Sequence, residues 1–337
     1  MTETSKINYL NIGLMLLSAL VAFYLPFDLF LFAYAVLGPA HYLTEISWLH
    51  ERNYFTKGKR DYVLLGILAV LLFLSGYVFR NFNYFQTANL WLILSNSFVY
   101  VAFFAALVLV LIKDSFARFV GIALVCISAL LAKNYVLIFS IFLPTLIHVY
   151  VFTGLFILYG ALKSRSQSGY LSFGVFLLCP LLFVVVDPVH FIVSQYAHTT
   201  YLYFQTVNQE LYKLFTPVQD QKGDFTQLMF NSGLGVKIMR FIAFAYTYHY
   251  LNWFSKTTVI KWHKISKMRM AVIGCLWAIS IGLYRYDYKL GFDWLFLLSF
   301  LHVFLEFPLN HTTFIGIFTE LKGIITGKPV VKLAGKK

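Results

Sequence analysis

The stretch LGPAHYLTEISWLHERNYF, residues 37–55, begins as an apolar helix and ends in a polar, water-soluble segment. His41 and Glu45 lie within its apolar part, before the chain has left the hydrocarbon layer. An ionisable side chain at the centre of a bilayer costs about 2.5 to 3.5 kcal/mol, so such a group normally faces inward and has a partner. The stretch therefore predicts a membrane helix that carries a functional pair of residues near its end.

The composition of the whole chain also indicates a membrane protein. Of the 337 residues, 60% are hydrophobic and 12% are charged, and the mean hydropathy is +0.73. A soluble domain of this composition would have too little polar surface to cover itself. The formal charge of +13 is explained by topology and anionic head groups rather than by nucleic acid, so no nucleic-acid partner is predicted. We predict an all-α, polytopic integral membrane helix bundle.

Ten apolar segments are long enough to cross a bilayer, whose hydrocarbon core needs about 20 residues per helix. They cover residues 7–24, 27–49, 61–80, 89–112, 116–132, 135–162, 170–187, 233–255, 268–286 and 289–312. We therefore predict one transmembrane helical domain over residues 1–320, followed by a basic cytoplasmic tail over residues 321–337. Within the domain, apolar residues of the outer segment 188–232 recur at helical spacing over about 200–215, which indicates an amphipathic interfacial helix.

Basic residues are distributed unevenly between the two sides that ten spans define. One side holds both termini and the four loops at 50–60, 113–118, 163–169 and 256–267. Nineteen of the 27 lysines and arginines lie on that side. Cytoplasmic loops carry an excess of lysine and arginine. The distribution therefore places the N-terminus and the C-terminus in the cytoplasm.

Four of the nine histidines lie within predicted spans, and all four spans have even numbers. His41, His148, His249 and His302 belong to the second, sixth, eighth and tenth spans. These helices run in the same direction, so the distance of each histidine from its cytoplasmic end can be compared directly. The spread is about 12 Å at 1.5 Å per residue, much of it within helix tilt. We therefore expect the four imidazoles to share one layer of the membrane.

Two of these histidines have an acidic residue on the same helix face. Glu45 follows His41, and Glu306 follows His302, by four residues, which is the spacing of neighbours on a helix. They are the only carboxylates well inside a predicted span. Because a metal cation would offset the cost of burying them, we predict a metal site that includes the four histidines and both glutamates. The glutamates could be ligands, could carry protons in catalysis, or could orient a histidine through its second nitrogen.

Imidazole and carboxylate ligands suit non-haem iron, as one ion or two, although zinc would accept the same set. A single membrane histidine is more often a helix–helix hydrogen bonder than a ligand, and the case for metal depends on the whole set. An open coordination position would admit O2. The resulting hypothesis is an iron-dependent oxygenase that acts on a hydrophobic substrate dissolved among membrane lipids, such as a carotenoid, a quinone, a sterol-like lipid or an acyl chain, with an electron donor that the sequence leaves open.

Three short motifs resemble the Brp/Blh family of bacterial membrane β-carotene 15,15'-dioxygenases. They are GPAHYLTE at residues 38–45, TLIHVYVF at residues 145–152 and FLHVFLEF at residues 300–307. Proteins of this family cleave carotene to retinal with histidine-bound iron, so the resemblance implies iron, O2 and a bacterial plasma membrane. The family has two histidines four apart in a late helix, whereas TYHYLNWFSK offers His249 and then Trp253. This departure leaves the reaction open.

Two other classes of membrane protein are compatible with the same residues. In a proton-coupled transporter, histidine and glutamate would form a relay across the membrane. The absence of an inverted repeat and the clustering of the polar residues at one level argue against that class. In a b-type haem protein, paired histidines would be axial ligands.

Overall fold

A computed structural model of the chain describes residues 2–81, 88–131, 133–187, 190–217 and 223–327. These residues form helices joined by turns, and no strand occurs among them. The predicted all-α fold is therefore confirmed. The helices are α1 (Glu3–Tyr24), α2 (Pro26–Phe32), α3 (Gly38–His50), α4 (Asp61–Asn81), α5 (Ala88–Leu111), α6 (Ser115–Leu131), α7 (Lys133–Phe142), α8 (Thr153–Ser164), α9 (Gln167–Val185), α10 (Gln195–Thr200), α11 (Gln205–Phe215), α12 (Phe225–Asn231), α13 (Gly233–Ser255), α14 (Thr257–Ile260), α15 (Lys267–Tyr286) and α16 (Tyr288–Thr326).

Several of these helices could cross a membrane. Within the part of the chain that the structure describes, six helical stretches are long and apolar enough, and a seventh counts if α12 and α13, which meet at a bend of 80°, form one span. The six are Glu3–Tyr24, Pro26–His50, Phe139–Ser164, Gln167–Val185, Lys267–Tyr286 and Tyr288–Thr326. The apolar stretches Asp61–Tyr77 of α4, Asn96–Leu111 of α5 and Ser115–Leu131 of α6 are shorter. Each predicted span overlaps a helix, but the number of ten stays a prediction.

The final helix is longer than the sequence pattern predicts. The tenth span was expected to end at residue 312, whereas α16 contains 39 residues and continues to Thr326, where Gly327 in the left-handed conformation (φ 65°) ends it. Residues 321–326, expected in the tail, therefore belong to this helix. The remainder of the predicted tail, from residue 328, lies outside the described residues.

The outer segment forms short helices that pack on the bundle. The amphipathic helix predicted over about 200–215 is present as a 3-10 turn followed by α11, and Asn208, Leu211 and Tyr212 of α11 are buried. The backbone N–H of Ser194 donates a hydrogen bond of 3.0 Å to Asp28 of α2. The segment is thus attached to the helices beneath it.

Two of the histidine-bearing helices widen locally into π-helical turns. One turn covers Ala33–Leu37, just before Pro39, and the other covers Leu143–Phe152, which includes Pro144. Proline lacks a backbone N–H and its ring crowds the carbonyl four residues earlier, so a wider turn relieves the clash. At Pro308, by contrast, α16 continues as an α-helix.

Helix α13 is at the centre of the bundle. Sixteen of its 23 residues are buried, and it packs against α1, α2, α9 and both π-helical turns. Its first turn lies against the backbone of α12, where Gly235 fills a position with no room for a side chain. A Cβ on Gly235 would be 2.5 Å from the carbonyl oxygen of Leu228 and 2.6 Å from Cα of Met229. The sharp bend between α12 and α13 therefore requires glycine.

We predict that Gly235→Ala destabilises the protein by about 1 to 3 kcal/mol, the usual range for forcing extra carbon atoms into a packed region. The thermal unfolding temperature, followed by circular dichroism in detergent micelles, would fall. Gly274→Ala in α15 is the matched control, because a Cβ there meets nothing within 4 Å. The control should be neutral or more stable, and equal behaviour of the two variants would contradict the prediction.

Candidate metal centre

Four separate helical elements bring the predicted histidines together in the interior. His41 lies in α3, His148 in the second π-helical turn, His249 in α13 and His302 in α16. Their exposed fractions are 1%, 1%, 6% and 1%. The predicted convergence on one level is therefore present in the structure.

The four imidazole rings form a closed ring of neighbours. The ring centroids are 4.7 Å apart for His41 and His249, 4.9 Å for His249 and His148, 5.0 Å for His148 and His302, and 5.3 Å for His302 and His41. Each ring thus faces two others, as it would around a common centre.

The distances between ring nitrogens match the distances between two nitrogen ligands of one metal ion. Nε2 of His41 lies 3.1 Å from Nε2 of His249, and Nε2 of His148 lies 3.1 Å from Nε2 of His302. With metal–nitrogen bonds of about 2.0 to 2.1 Å, neighbouring ligand nitrogens are about 3.0 Å apart at right angles and about 3.4 Å apart at tetrahedral corners. A hydrogen bond between neutral imidazoles also explains each pair separately, but it does not explain the assembly of two pairs around one centre.

The two glutamates occupy different positions around the histidines. Oε2 of Glu45 lies 3.0 Å from Nε2 of His41, the nitrogen that also faces His249. Oε2 of Glu306 lies 3.3 Å from Nδ1 of His148, whose Nε2 faces His302. These contacts favour Glu45 as a ligand and Glu306 as the group that orients His148 from behind, in the carboxylate–histidine–metal arrangement, while Glu306 also belongs to a potential ligand group.

Buried polar atoms without hydrogen bonds support a cation at this place. Both carboxylate contacts lack hydrogen-bond geometry, so Oε2 of Glu45 and Oε2 of Glu306 have no hydrogen-bond partner, and the same holds for Nδ1 of His41, His148 and His302. An unpartnered buried carboxylate oxygen is costly. A cation would supply partners for these oxygens, so the residues fit a metal ion.

Two overlapping groups of residues could hold a metal ion. The potential ligand atoms of His41, His249 and His302 lie within 4.8 Å of one another, and so do those of His148, His302 and Glu306. His302 belongs to both groups. The arrangement can therefore accommodate one ion or two, and its nitrogen and oxygen donors suit both iron and zinc.

Thr153 is a part of the centre that the sequence did not reveal. Its Oγ1 forms a hydrogen bond of 2.7 Å with Nδ1 of His249, which orients that ring so that Nε2 faces His41. Thr153 follows His148 by five residues, a spacing at which two residues share a face in a π-helix rather than in an α-helix. A search of the sequence at the α-helical spacing of three or four residues from His148 therefore does not detect Thr153.

Two tyrosines form one wall of the centre. The Tyr42 ring stacks on His302 with centroids 4.1 Å apart, and the Tyr42 hydroxyl is 2.7 Å from the Tyr250 hydroxyl. Both hydroxyl groups lie against Gly38, where an added Cβ would be only 3.1 Å and 3.3 Å from them. The small residue before Pro39 thus makes room for this tyrosine pair.

Trp253 occupies the position at which the Brp/Blh motif has a second histidine. Its ring meets the edge of His41 with centroids 5.5 Å apart, and its indole N–H donates a hydrogen bond of 3.0 Å to Oγ1 of Thr44. The side chain therefore packs beside the centre without contributing a ligand.

The other five histidines do not join this centre. Nε2 of His311 lies 2.8 Å from the carbonyl oxygen of Phe103, and Nδ1 of His50 lies 3.3 Å from the Tyr54 hydroxyl. His198 packs against Phe230, His263 packs against Trp262, and the carbonyl of His190 accepts a hydrogen bond from Arg240. These contacts are structural.

A cavity of about 620 Å³ reaches the centre from one end of the bundle. Its inner wall contains His41, Glu45, His249 and Glu306, together with Thr153. The centre is therefore connected to a space in which a small molecule could bind.

Comparison of the chain with protein-family models, with curated proteins and with solved structures gives no match. The resemblance to the Brp/Blh family therefore depends on the three histidine motifs alone.

We expect His302→Ala to remove most of the bound metal, because His302 belongs to both potential ligand groups. Elemental analysis of the purified protein would show the metal content per chain. His311→Ala is the matched control, since His311 is buried on the same helix and contacts Phe103 instead. Equal metal contents in the two variants, both folded, would contradict a metal site at His302.

Glu45→Gln and Glu306→Gln should weaken metal binding to different extents. Loss of a group that only orients a ligand typically costs about 10- to 100-fold in affinity, which we expect for Glu306→Gln. Loss of a ligand should cost more, which we expect for Glu45→Gln. Competition with a chelator of known affinity measures both. The reverse order would show that the assigned roles are exchanged.

Proposed function

We propose that the protein is an integral membrane, histidine-ligated non-haem iron oxygenase that acts on a hydrophobic, membrane-dissolved substrate. The observation that carries the proposal is the convergence of four imidazoles from four helical elements, with Nε2 pairs 3.1 Å apart and two buried carboxylates beside them. Burying this many ionisable groups in an apolar bundle is costly unless a cation compensates.

The proposed arrangement in the membrane has ten spans and both termini in the cytoplasm, in a bacterial plasma membrane. The lysine and arginine distribution supports it, as does the overlap of each apolar segment with a helix. In this orientation the N-terminal end of α1 and the C-terminal ends of α8 and α13 lie on the cytoplasmic side.

Iron with an open position among nitrogen and oxygen ligands would supply the site at which O2 is activated. His41, His148, His249 and His302 would hold the ion. Glu45, as a ligand that also lines the cavity, could accept or return a proton beside the reacting groups, while Glu306 and Thr153 keep His148 and His249 in orientation.

The aromatic wall would exclude water from the reaction. Tyr42, Tyr250 and Trp253 pack directly on the histidine rings, and all three are buried. An enclosed apolar surface of this kind suits an extended apolar substrate and protects reactive groups from solvent.

The same geometry disfavours a haem. Two axial histidines on one iron would place their nitrogens on opposite sides, about 4.1 Å apart at metal–nitrogen distances of about 2.0 to 2.1 Å, with a macrocycle between the rings. The nitrogen pairs here are 3.1 Å apart, and the neighbouring ring centroids are 4.7 to 5.3 Å apart. This spacing leaves no place for a macrocycle.

A proton-coupled transporter stays the second candidate, because one observation favours it. The cavity joins one end of the bundle to Glu45 and Glu306, which is the form of a half-channel. Proton uptake by liposomes that contain the metal-free protein would support a transporter, whereas the oxygenase requires no such flux.

We predict that protein loaded with Fe(II) without oxygen consumes O2 and transfers oxygen atoms to one of the candidate lipids, when these lipids are present together with ascorbate as the reductant that transfer of a single oxygen atom requires. Mass spectrometry with isotopically labelled O2 detects the product among carotenoids, quinones, sterol-like lipids and acyl lipids. His148→Ala should abolish incorporation, and His311→Ala should retain it. A metal content that is unchanged in His148→Ala, or a sharp Soret band in the isolated protein, would refute the proposal.

A further inference from the structure

The cavity runs from the ends of α1, α8 and α13 to the histidine centre. Its outer residues come from the first turns of α1, the end of α8 and the segment after α13, and they are Thr4, Lys163, Ser164, Lys256 and Ile260. Its inner residues are those of the candidate metal centre. Access to the centre is therefore from the end of the bundle where the basic loops lie.

The length of the cavity follows from the helices that line it. Lys256 at the outer end and His249 at the inner end are seven residues apart along α13, which corresponds to about 10 Å. Lys163 and Thr153, on α8, are ten residues apart, which corresponds to about 15 Å. The cavity is thus long enough to hold part of an extended apolar chain.

The walls along this length are mainly apolar. Trp48 and Trp253 line the cavity, but their indole N–H groups are already bonded to Ile260 and Thr44. These two rings therefore offer apolar surface to an occupant. The remaining apolar lining residues include Phe156, Ile157 and Leu309. The volume of about 620 Å³ lies within the range of about 300 to 1,000 Å³ that is usual for small-molecule sites.

Lys256 introduces a positive charge at the outer end. It lies directly after α13, and among the described residues no carboxylate pairs with its ammonium group. Burial lowers the pKa of Lys256 to about 8, because the surroundings disfavour its charged form. A bound anion would compensate this charge.

The charges along the cavity also fix the direction of an occupant. In the metal-free protein, Glu45 and Glu306 lie at the inner end, where they would repel a carboxylate, whereas Lys163 and Lys256 lie at the outer end. An amphiphile with one anionic group therefore has only one favourable orientation.

We propose that this cavity binds a single-chain amphiphile whose carboxylate pairs with Lys256, while its apolar chain extends inward to the histidine centre. That this amphiphile is the substrate rests on the proposed function. In that case the oxidised position lies about 10 Å from the carboxylate. The binding itself needs neither metal nor O2.

The test uses dibromostearate, whose bromine atoms quench the fluorescence of nearby tryptophans, among them Trp48 and Trp253 in the cavity wall, and its uncharged methyl ester. Both are titrated into metal-free full-length protein in detergent micelles. We expect the acid to bind at least about tenfold more tightly than the ester, a difference of about 1.4 kcal/mol. Lys256→Gln should remove the difference, and Lys256→Arg should preserve it.

Lys261→Gln is the matched control, because Lys261 is an exposed lysine of the same loop that does not line the cavity. This variant should keep the preference for the acid. Equal binding of acid and ester by the wild-type protein, or an unchanged preference in folded Lys256→Gln, would overturn the inference. If the acid binds preferentially but no O2 is consumed, the carboxylate site is retained and the oxygenase is rejected. If O2 reacts only with an uncharged lipid, the oxygenase is retained and the carboxylate site is rejected.

Discussion

The cost of burying ionisable groups in an apolar bundle constrains the whole interior of this protein. Four imidazoles and two carboxylates are almost fully enclosed, and both glutamates have an oxygen without a hydrogen-bond partner. Each such group is expensive to bury in isolation, but a common cation would offset that cost by attracting all of them. The packing of the surrounding helices then serves to hold six side chains at one point.

Helices α13 and α16 provide most of this support. Residues beside His249 and His302 belong to two large apolar clusters, one with Tyr42 and Tyr250 and the other with Trp253 and Phe304. The candidate metal centre lies where the two clusters meet. Displacement of either helix would therefore disturb both the packing and the ligand geometry, since the same residues serve the two purposes.

The sequence predicted the residues that converge at the candidate site more completely than the architecture around them. The placement of histidines in four of the five even-numbered predicted spans, and the spacing of four residues from His41 to Glu45 and from His302 to Glu306, are patterns that the sequence alone reveals. Thr153 and the Tyr42–Tyr250 pair depend on a widened turn and on contacts between distant helices, which no local period encodes. The extension of α16 to Thr326 was missed because an apolar window identifies a membrane-crossing stretch and gives no stop at its end.

The π-helical turn at Leu143–Phe152 places His148 and Thr153 in a register that an ordinary helix cannot provide. Such a turn is equivalent to one additional residue in a regular helix, and one residue corresponds to about 100° of rotation. Removal of a single residue upstream of His148 would restore regular winding and rotate the imidazole away from its three companions. The number of residues between Pro144 and His148, rather than the chemistry of their side chains, thus decides whether the imidazole reaches the centre.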